Sequence, residues 1–234
     1  MIPIRDTIRS RTTPIVTIGL IAVNAFVFFQ ELGYGPHVDR LIEAFGFIPA
    51  RFVGWTQLGG DPLDPWRFIP LITSMFLHGG WAHIAGNMLY LWVFGDNVED
   101  TFGHFRFLLF YVICGVIAAL TLAFFSPDST VPTVGASGAI AGVLGAYFVM
   151  FPRSRVVTLV PIFFIPWFIE IPALAYLGFW FVLQLLNGSL ELTSTSGIAS
   201  GVAWWAHTGG FVAGILLSIP FRRHPKSRSP VWLA

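Results

Sequence analysis

Between Ser137 and Phe151 the chain carries no charged side chain, and the run closes on Pro152-Arg153-Ser154-Arg155. As a helix rising about 1.5 Å per residue it is roughly 21 Å long, short of the roughly 30 Å hydrocarbon core of a bilayer. The two arginines must reach an interface, so counting back from them puts Ser137 below the opposite surface, inside the membrane. A hydroxyl at that depth needs a reason. Composition agrees with the setting: 55% of the 234 residues are hydrophobic and 11% are charged, where soluble domains carry about 25% charged residues. The chain reads as an all-α polytopic membrane protein. Its net charge of +1 lends no support to a nucleic-acid partner, and none is expected. Cys114, the single cysteine, excludes an intramolecular disulfide and reads as a small packing residue in an apolar span.

In order, residues 1–13 form a polar tail with Arg5, Arg9 and Arg11. Six apolar runs are predicted as spans, at 14–32, 81–98, 104–125, 137–151, 172–187 and 202–220. The first is too long for a signal peptide and lacks a cleavage-like exit. Residues 33–80 are rich in Gly, Pro and aromatics, and Trp55, Trp66 and Trp81 place that loop at an interface. The stretch 156–188 has 33 residues; as a helix it would run about 50 Å, too long for one crossing. It contains Pro161, Pro166, Pro172 and Glu170. A charge at the bilayer centre costs about 2.5–3.5 kcal/mol or more, so Glu170 belongs at an interface. Residues 156–171 are therefore predicted as an interfacial or re-entrant piece. A polar loop at 189–200 precedes the sixth span, and 221–234 is a basic tail.

Six spans put both tails and the connections after spans two and four on one side. That side collects ten of the 13 basic residues: Arg5, Arg9, Arg11, Arg106, Arg153, Arg155, Arg222, Arg223, Lys226 and Arg228. The other keeps Arg40, Arg51 and Arg67. The excess makes the first side, with both termini, cytoplasmic. Ser137 then begins its helix from the outer side, as do His83 and Asn87 in span two and His207 in span six. Four polar groups from three spans share one depth.

Each has a bland reading alone. Serines in membrane helices often only let backbones approach or bond their own helix. Ser137 is not in a Gly-x-Ser-x-Gly elbow, because position 139 is Ala. His207, in Trp204-Trp205-Ala206-His207-Thr208-Gly209-Gly210, could be a structural hydrogen bonder. The small residues change the balance. Gly138 and Gly142 stand four apart on span four, while Ala206, Gly210 and Gly214 repeat at four on span six. Such spacing allows close helix contact in lipid and brings imidazole to hydroxyl distance, the geometry of an activated serine. Histidine supplies a base near neutral pH without tuning. His83 and Asn87, at i and i+4, share a helix face. With the amide of Ser137, free at a helix N-terminus, they offer donors to a developing oxyanion. The competing reading of His83 and Asn87 is a structural hydrogen bond tying spans two and four. No metal site is expected, since His83 lacks the His-Glu-x-x-His spacing. His78 reads as loop structure, and His37, His104 and His224 as loop or interfacial residues.

Gly135-Ala136-Ser137-Gly138, His83-x-x-x-Asn87 and Ala206-His207-x-x-Gly210 together resemble the rhomboid intramembrane serine proteases. The resemblance covers nearly the whole chain. Trp66-Arg67 is similar to that family's signature in the first outer loop. Gly95-Asp96-Asn97-Val98-Glu99-Asp100, with Gly103 and Arg106, is similar to its inner turn after span two. The resemblance implies a six-transmembrane-helix bundle in which Ser137 is the nucleophile and His207 the general base. His83, Asn87 and the Ser137 amide would form the oxyanion hole. No cofactor and no acidic third member are implied. The partners would be membrane-spanning protein substrates within the lipid bilayer, cleaved near small residues in helices that unwind easily. The outer loop and span five would form the substrate gate. Residues 132–136 would lie along the substrate, with Gly135, Ala136 and Trp204 as substrate-binding candidates.

Well-studied bacterial members stack an aromatic, one turn after the serine, on the catalytic histidine. That position is Ala141 here, so support for His207 is assigned to Trp204 or Trp205. The lack of a seventh span or large soluble domain implies a minimal bacterial or archaeal form in a prokaryotic cell membrane. Two other classes are weighed. A catalytically silent rhomboid-like escort of membrane clients would be expected to lack Ser137 or His207. A transporter using Glu170, His83 and Asn87 as a polar pathway would be expected to show internal repeats, and the sequence shows no convincing one.

Overall fold

The computed structural model describes residues 1–57, 59–162, 165–193 and 202–222. The long helices are α1 (Ile15–Gly33), α6 (Trp81–Phe102), α7 (His104–Phe125), α8 (Ser137–Met150), α9 (Ala173–Thr193) and α10 (Trp204–Phe221). The short ones, all between α1 and α6, are α2 (Val38–Phe45), α3 (Pro49–Gly54), α4 (Pro65–Phe68) and α5 (Pro70–Thr73). Among the described residues, three segments, Ile15–Gly33, His104–Phe125 and Ala173–Leu192, are long and apolar enough to cross a membrane by themselves, and Ser137–Met150 is a shorter apolar helix.

The all-α reading needs correction. Strands β1 (Ile2–Asp6), β2 (Arg155–Ile162) and β3 (Ile165–Pro172) form an antiparallel sheet in the order β1-β2-β3. Residues 156–162 and 165–171, expected as an interfacial or re-entrant piece, thus pair as antiparallel strands. Their Val and Ile content favours strands, while Pro161 and Pro166, paired across the two strands, would break a helix. The N-terminal tail is not loose either, since Asp6 and Ile2 align with Val156 and Leu159. Val156 and Thr158 are buried, while Trp167, Phe168 and Ile169 on β3 are exposed, together with Glu170. The fifth helix continues to Thr193, beyond the predicted 187. The remainder of the predicted polar loop (194–200), and Arg223, His224, Lys226 and Arg228 of the basic tail, lie outside the described residues.

Glu99 explains how α1 starts. Pro14 at its N-cap offers no side-chain cap. The fully buried Glu99 carboxylate, carried on α6, accepts from the amides of Val16 (2.9 Å) and Thr17 (2.8 Å) and from Thr17 Oγ1 (2.7 Å). An anion there satisfies orphan donors and meets the positive end of the helix dipole. His104 Nδ1 lies 2.6 Å from the same carboxylate, so His104 is a partner within this network.

Around α8 the packing is backbone on backbone. A Cβ at Gly210 or Gly214 would collide with the carbonyl of Gly138 or Gly142, and one at Gly145 with the carbonyl of Phe211. Gly142 itself faces the buried Cys114 of α7, so that glycine spaces α8 from α7 as well as from α10.

Asp6 anchors the sheet to the bundle. Its carboxylate accepts from the Tyr147 hydroxyl and, at 2.8 Å, from Asn97 Nδ2. Burial first, and then the neighbouring Asp96 carboxylate, push its pKa up to about 6 against the pull of the Tyr147 bond. The folded state therefore holds this proton more tightly than the unfolded chain does. The resulting stability is full below the ordinary carboxylate range and is lost as pH rises through about 6. Asp6→Asn keeps an acceptor for both partners and stays neutral. It is expected to melt above the wild type at pH 7.5, with the two converging only below about pH 4. Thermal unfolding in detergent across that range checks this, and a variant no more stable at pH 7.5 would refute it.

Candidate active site

The connection into α8 is pinned by the outer loop. Phe47 and Thr133 exchange backbone hydrogen bonds at 2.8 and 2.9 Å, and the Gly135 amide donates to Ser74 O at 2.8 Å. Gly135 sits at φ +121, a conformation that L side chains rarely adopt. This turn places Ser137 as the first residue of α8, where its amide has no intrahelical acceptor.

His207, in the first turn of α10, faces it. His207 Nε2 lies 2.8 Å from Ser137 Oγ. The close approach follows from the glycines, because α10 can come near enough only where Gly210 and Gly214 leave room for the α8 carbonyls. On its far side His207 Nδ1 lies 2.9 Å from Gln184 Oε1 on α9. Trp180 lies beside the imidazole, its ring centroid 5.9 Å away and tilted by 35°. Trp204 meets it edge-on at 6.4 Å. Trp205 stacks instead on Phe125 at 3.8 Å. The expected support from Trp205 is therefore absent, and Gln184 and Trp180 stand where the sequence gave no candidate. Gln184, one of two side-chain amides with Asn187 in the apolar run of α9, was the available signal.

From α6 come His83 and the buried Asn87. His83 Nδ1 accepts from the Gly79 amide at 3.2 Å, so the ring proton resides on Nε2. That Nε2 points toward Gly135: a Cβ placed there would lie 2.7 Å from it and 3.7 Å from Asn87 Nδ2. Asn87 Nδ2 donates one hydrogen to His83 O at 3.0 Å, within its own helix rather than across to α8, and keeps a second. His78 packs edge-on against His83 at 5.2 Å, with its amide on the Glu31 carboxylate at 3.0 Å. Burial lowers the His78 pKa to about 4, so that ring is neutral.

His83, Asn87, Ser137, Trp180, Glu191 and His207 line one cavity of about 540 Å³. Residues 131–134 line it as well, whereas Gly135, Ala136 and Trp204 are not among its lining residues. Ala136 is fully buried. Trp204, by contrast, is only partly buried. Gly135 instead borders the space in front of His83.

The Rhomboid domain family matches residues 64–224, well over half of the chain. The chain belongs to the rhomboid family. Among its relatives, it is 30% identical over 219 residues to Rhomboid protease AarA of Providencia stuartii, covering 88% of this chain and 72% of that one. It is 37% identical over 134 residues to Rhomboid protease GluP of Bacillus subtilis, covering 57% of this chain but only 24% of that one. RHOMBOID-like protein 1 of Arabidopsis thaliana is 33% identical over 227 residues, covering 91% and 52%. This rhomboid is thus an integral membrane protein, and its kinship with named rhomboid proteases supports an intramembrane serine protease at the level of the family. The relatives include a mitochondrial plant protein as well as bacterial ones, so kinship does not assign this rhomboid to a prokaryotic membrane.

Proposed function

We propose that this rhomboid is an intramembrane serine endopeptidase that cleaves membrane-spanning segments of other proteins through a Ser137–His207 dyad. The observation that carries the reading is the 2.8 Å contact between Ser137 Oγ and His207 Nε2 in a cavity that also presents His83 and Asn87. Ser137 Oγ attacks the scissile carbonyl carbon as its proton passes to His207 Nε2. The carbonyl oxygen takes up negative charge beside His83 Nε2–H, Asn87 Nδ2–H and the Ser137 amide. Collapse of the tetrahedral species breaks the C–N bond, and Nε2 returns the proton to the leaving amine. Water, activated by the same imidazole, then hydrolyses the acyl-enzyme. Both termini lie on the cytoplasmic side and the cavity opens from the opposite side, a reading supported by the distribution of Lys and Arg.

The test needs no known substrate. Detergent-purified protein is treated with a fluorophosphonate and the adduct is mapped by mass spectrometry, with His207→Ala in parallel. A single adduct on Ser137 that vanishes in the histidine variant is expected. An unlabelled, folded wild type would overturn the protease reading in favour of an escort. Once a cleavable reporter is available, Asn87→Ala is expected to lower its turnover by about 10² or more, the cost of losing one oxyanion donor. Turnover within twofold of wild type would remove Asn87 from the site.

A further inference from the structure

We propose that Gln184 is a positioning residue that fixes the tautomer and orientation of His207, so that the site works as a Ser–His–Gln relay. The inference rests on the dyad reading above and adds to it a third member from α9. A base must present a lone pair at Nε2, which requires the ring proton on Nδ1. Nδ1 lies 2.9 Å from Gln184 Oε1, an atom that only accepts. The amide is not free to turn over, because its Nε2 donates to Trp180 O at 3.0 Å. With the NH₂ group committed to the backbone, the carbonyl is left facing the imidazole.

Packing alone does not call for an amide here. The apolar stretch of α9 is only 28% buried, yet Gln184 is 5% exposed. It sits on the narrow inward stripe with Ala173, Leu177 and Gly188, at helical spacing from them. A leucine would satisfy that stripe. A polar side chain on a lipid-embedded helix is costly unless its groups are bonded, and both of its polar atoms are. The arrangement also explains how His207 manages with Ala141 one turn after Ser137: the ring is held at Nδ1 and flanked by Trp180. A neutral acceptor can stand in a carboxylate's place, as the asparagine of Cys-His-Asn proteases does.

Gln184→Met and Gln184→Glu test the assignment. Met keeps length and volume but accepts no hydrogen bond of comparable strength. It is expected to lower kcat, and the second-order rate of fluorophosphonate labelling at Ser137, by about 10- to 100-fold, within what a positioned base supplies, with KM unchanged. Glu keeps the acceptor and places a carboxylate against the imidazolium. It is expected to recover most of the rate above neutral pH and to move the acid limb of the pH–rate profile upward. The other titratable groups lining the cavity, His83 and Tyr90 on α6 and Glu191 on α9, are unchanged in both variants.

A folded Met variant that labels at the wild-type rate would overturn the assignment. So would a Glu variant whose acid limb coincides with that of the wild type, and this second readout serves if Met fails to fold. A wild type that does not label at Ser137 would instead defeat the dyad reading itself.

Discussion

Ser137→Ala and His207→Ala are each expected to reduce cleavage of a transmembrane reporter in liposomes by about 10⁴-fold or more, with the double variant no worse than either single one. The non-additivity follows from the geometry. The hydroxyl and the imidazole perform one proton transfer across 2.8 Å, so removing either partner removes the whole step. What survives is the binding cavity and the donors on α6, which bind but do not attack. Stability should move little in Ser137→Ala, where the lost hydrogen bond at the cavity wall can be replaced by water at a cost of about 1 kcal/mol. His207→Ala also leaves the buried Gln184 Oε1 without its partner and should cost about 1–3 kcal/mol. Cleavage and melting temperature measured on the same preparations separate the two effects. A Ser137→Ala variant that retains a tenth of wild-type cleavage would mean that another nucleophile does the chemistry.

The helices were legible in the sequence because apolar runs of this length have few other uses. The start of α8 at Ser137, and those of α6 at Trp81 and α7 at His104, fall where the apolar runs begin. The strand pair 155–162 and 165–172 was not legible, for a physical reason. Strands with apolar side chains on both faces lose the alternation that marks a half-buried strand, and neither Val156-Val157 nor Trp167-Phe168-Ile169 shows it. Within the site, Ser137, His207, His83 and Asn87 could be found because each is polar at a depth where polarity needs explaining. Gln184 obeys the same rule, but with Asn187 on the same helix an amide there does not by itself name a partner for His207. Ala136, a substrate-binding candidate next to Ser137, is fully buried and is not among the residues that line the cavity. Adjacency to Ser137 in sequence does not give adjacency to the cavity when the backbone turns at Gly135.

Gly135→Ala is expected to lower both turnover and fluorophosphonate labelling by roughly 10³-fold without unfolding the protein, the scale on which loss of oxyanion stabilisation acts. A methyl at this position would stand 2.7 Å from His83 Nε2 and 3.7 Å from Asn87 Nδ2, in the space those two donors face. An oxyanion and a methyl group cannot share it. The Gly135 amide would keep its bond to Ser74 O, so the turn into α8 should persist. Backbone strain is the competing explanation, since φ +121 is unfavourable for alanine by about 1–3 kcal/mol. Gly80 supplies the control. It lies at φ +146 on the N-terminal side of His83, and a Cβ there meets nothing within 4 Å. Gly80→Ala therefore carries comparable strain with no intrusion into the site, and it should cost melting temperature while keeping most of the labelling rate. If both variants lose activity together, strain transmitted to α6 accounts for the effect. If Gly135→Ala labels like the wild type, the space before His83 is not where the oxyanion forms, and His83 and Asn87 return to a structural role. A thousandfold loss confined to Gly135→Ala would tie that space, and the two donors facing it, to the transition state.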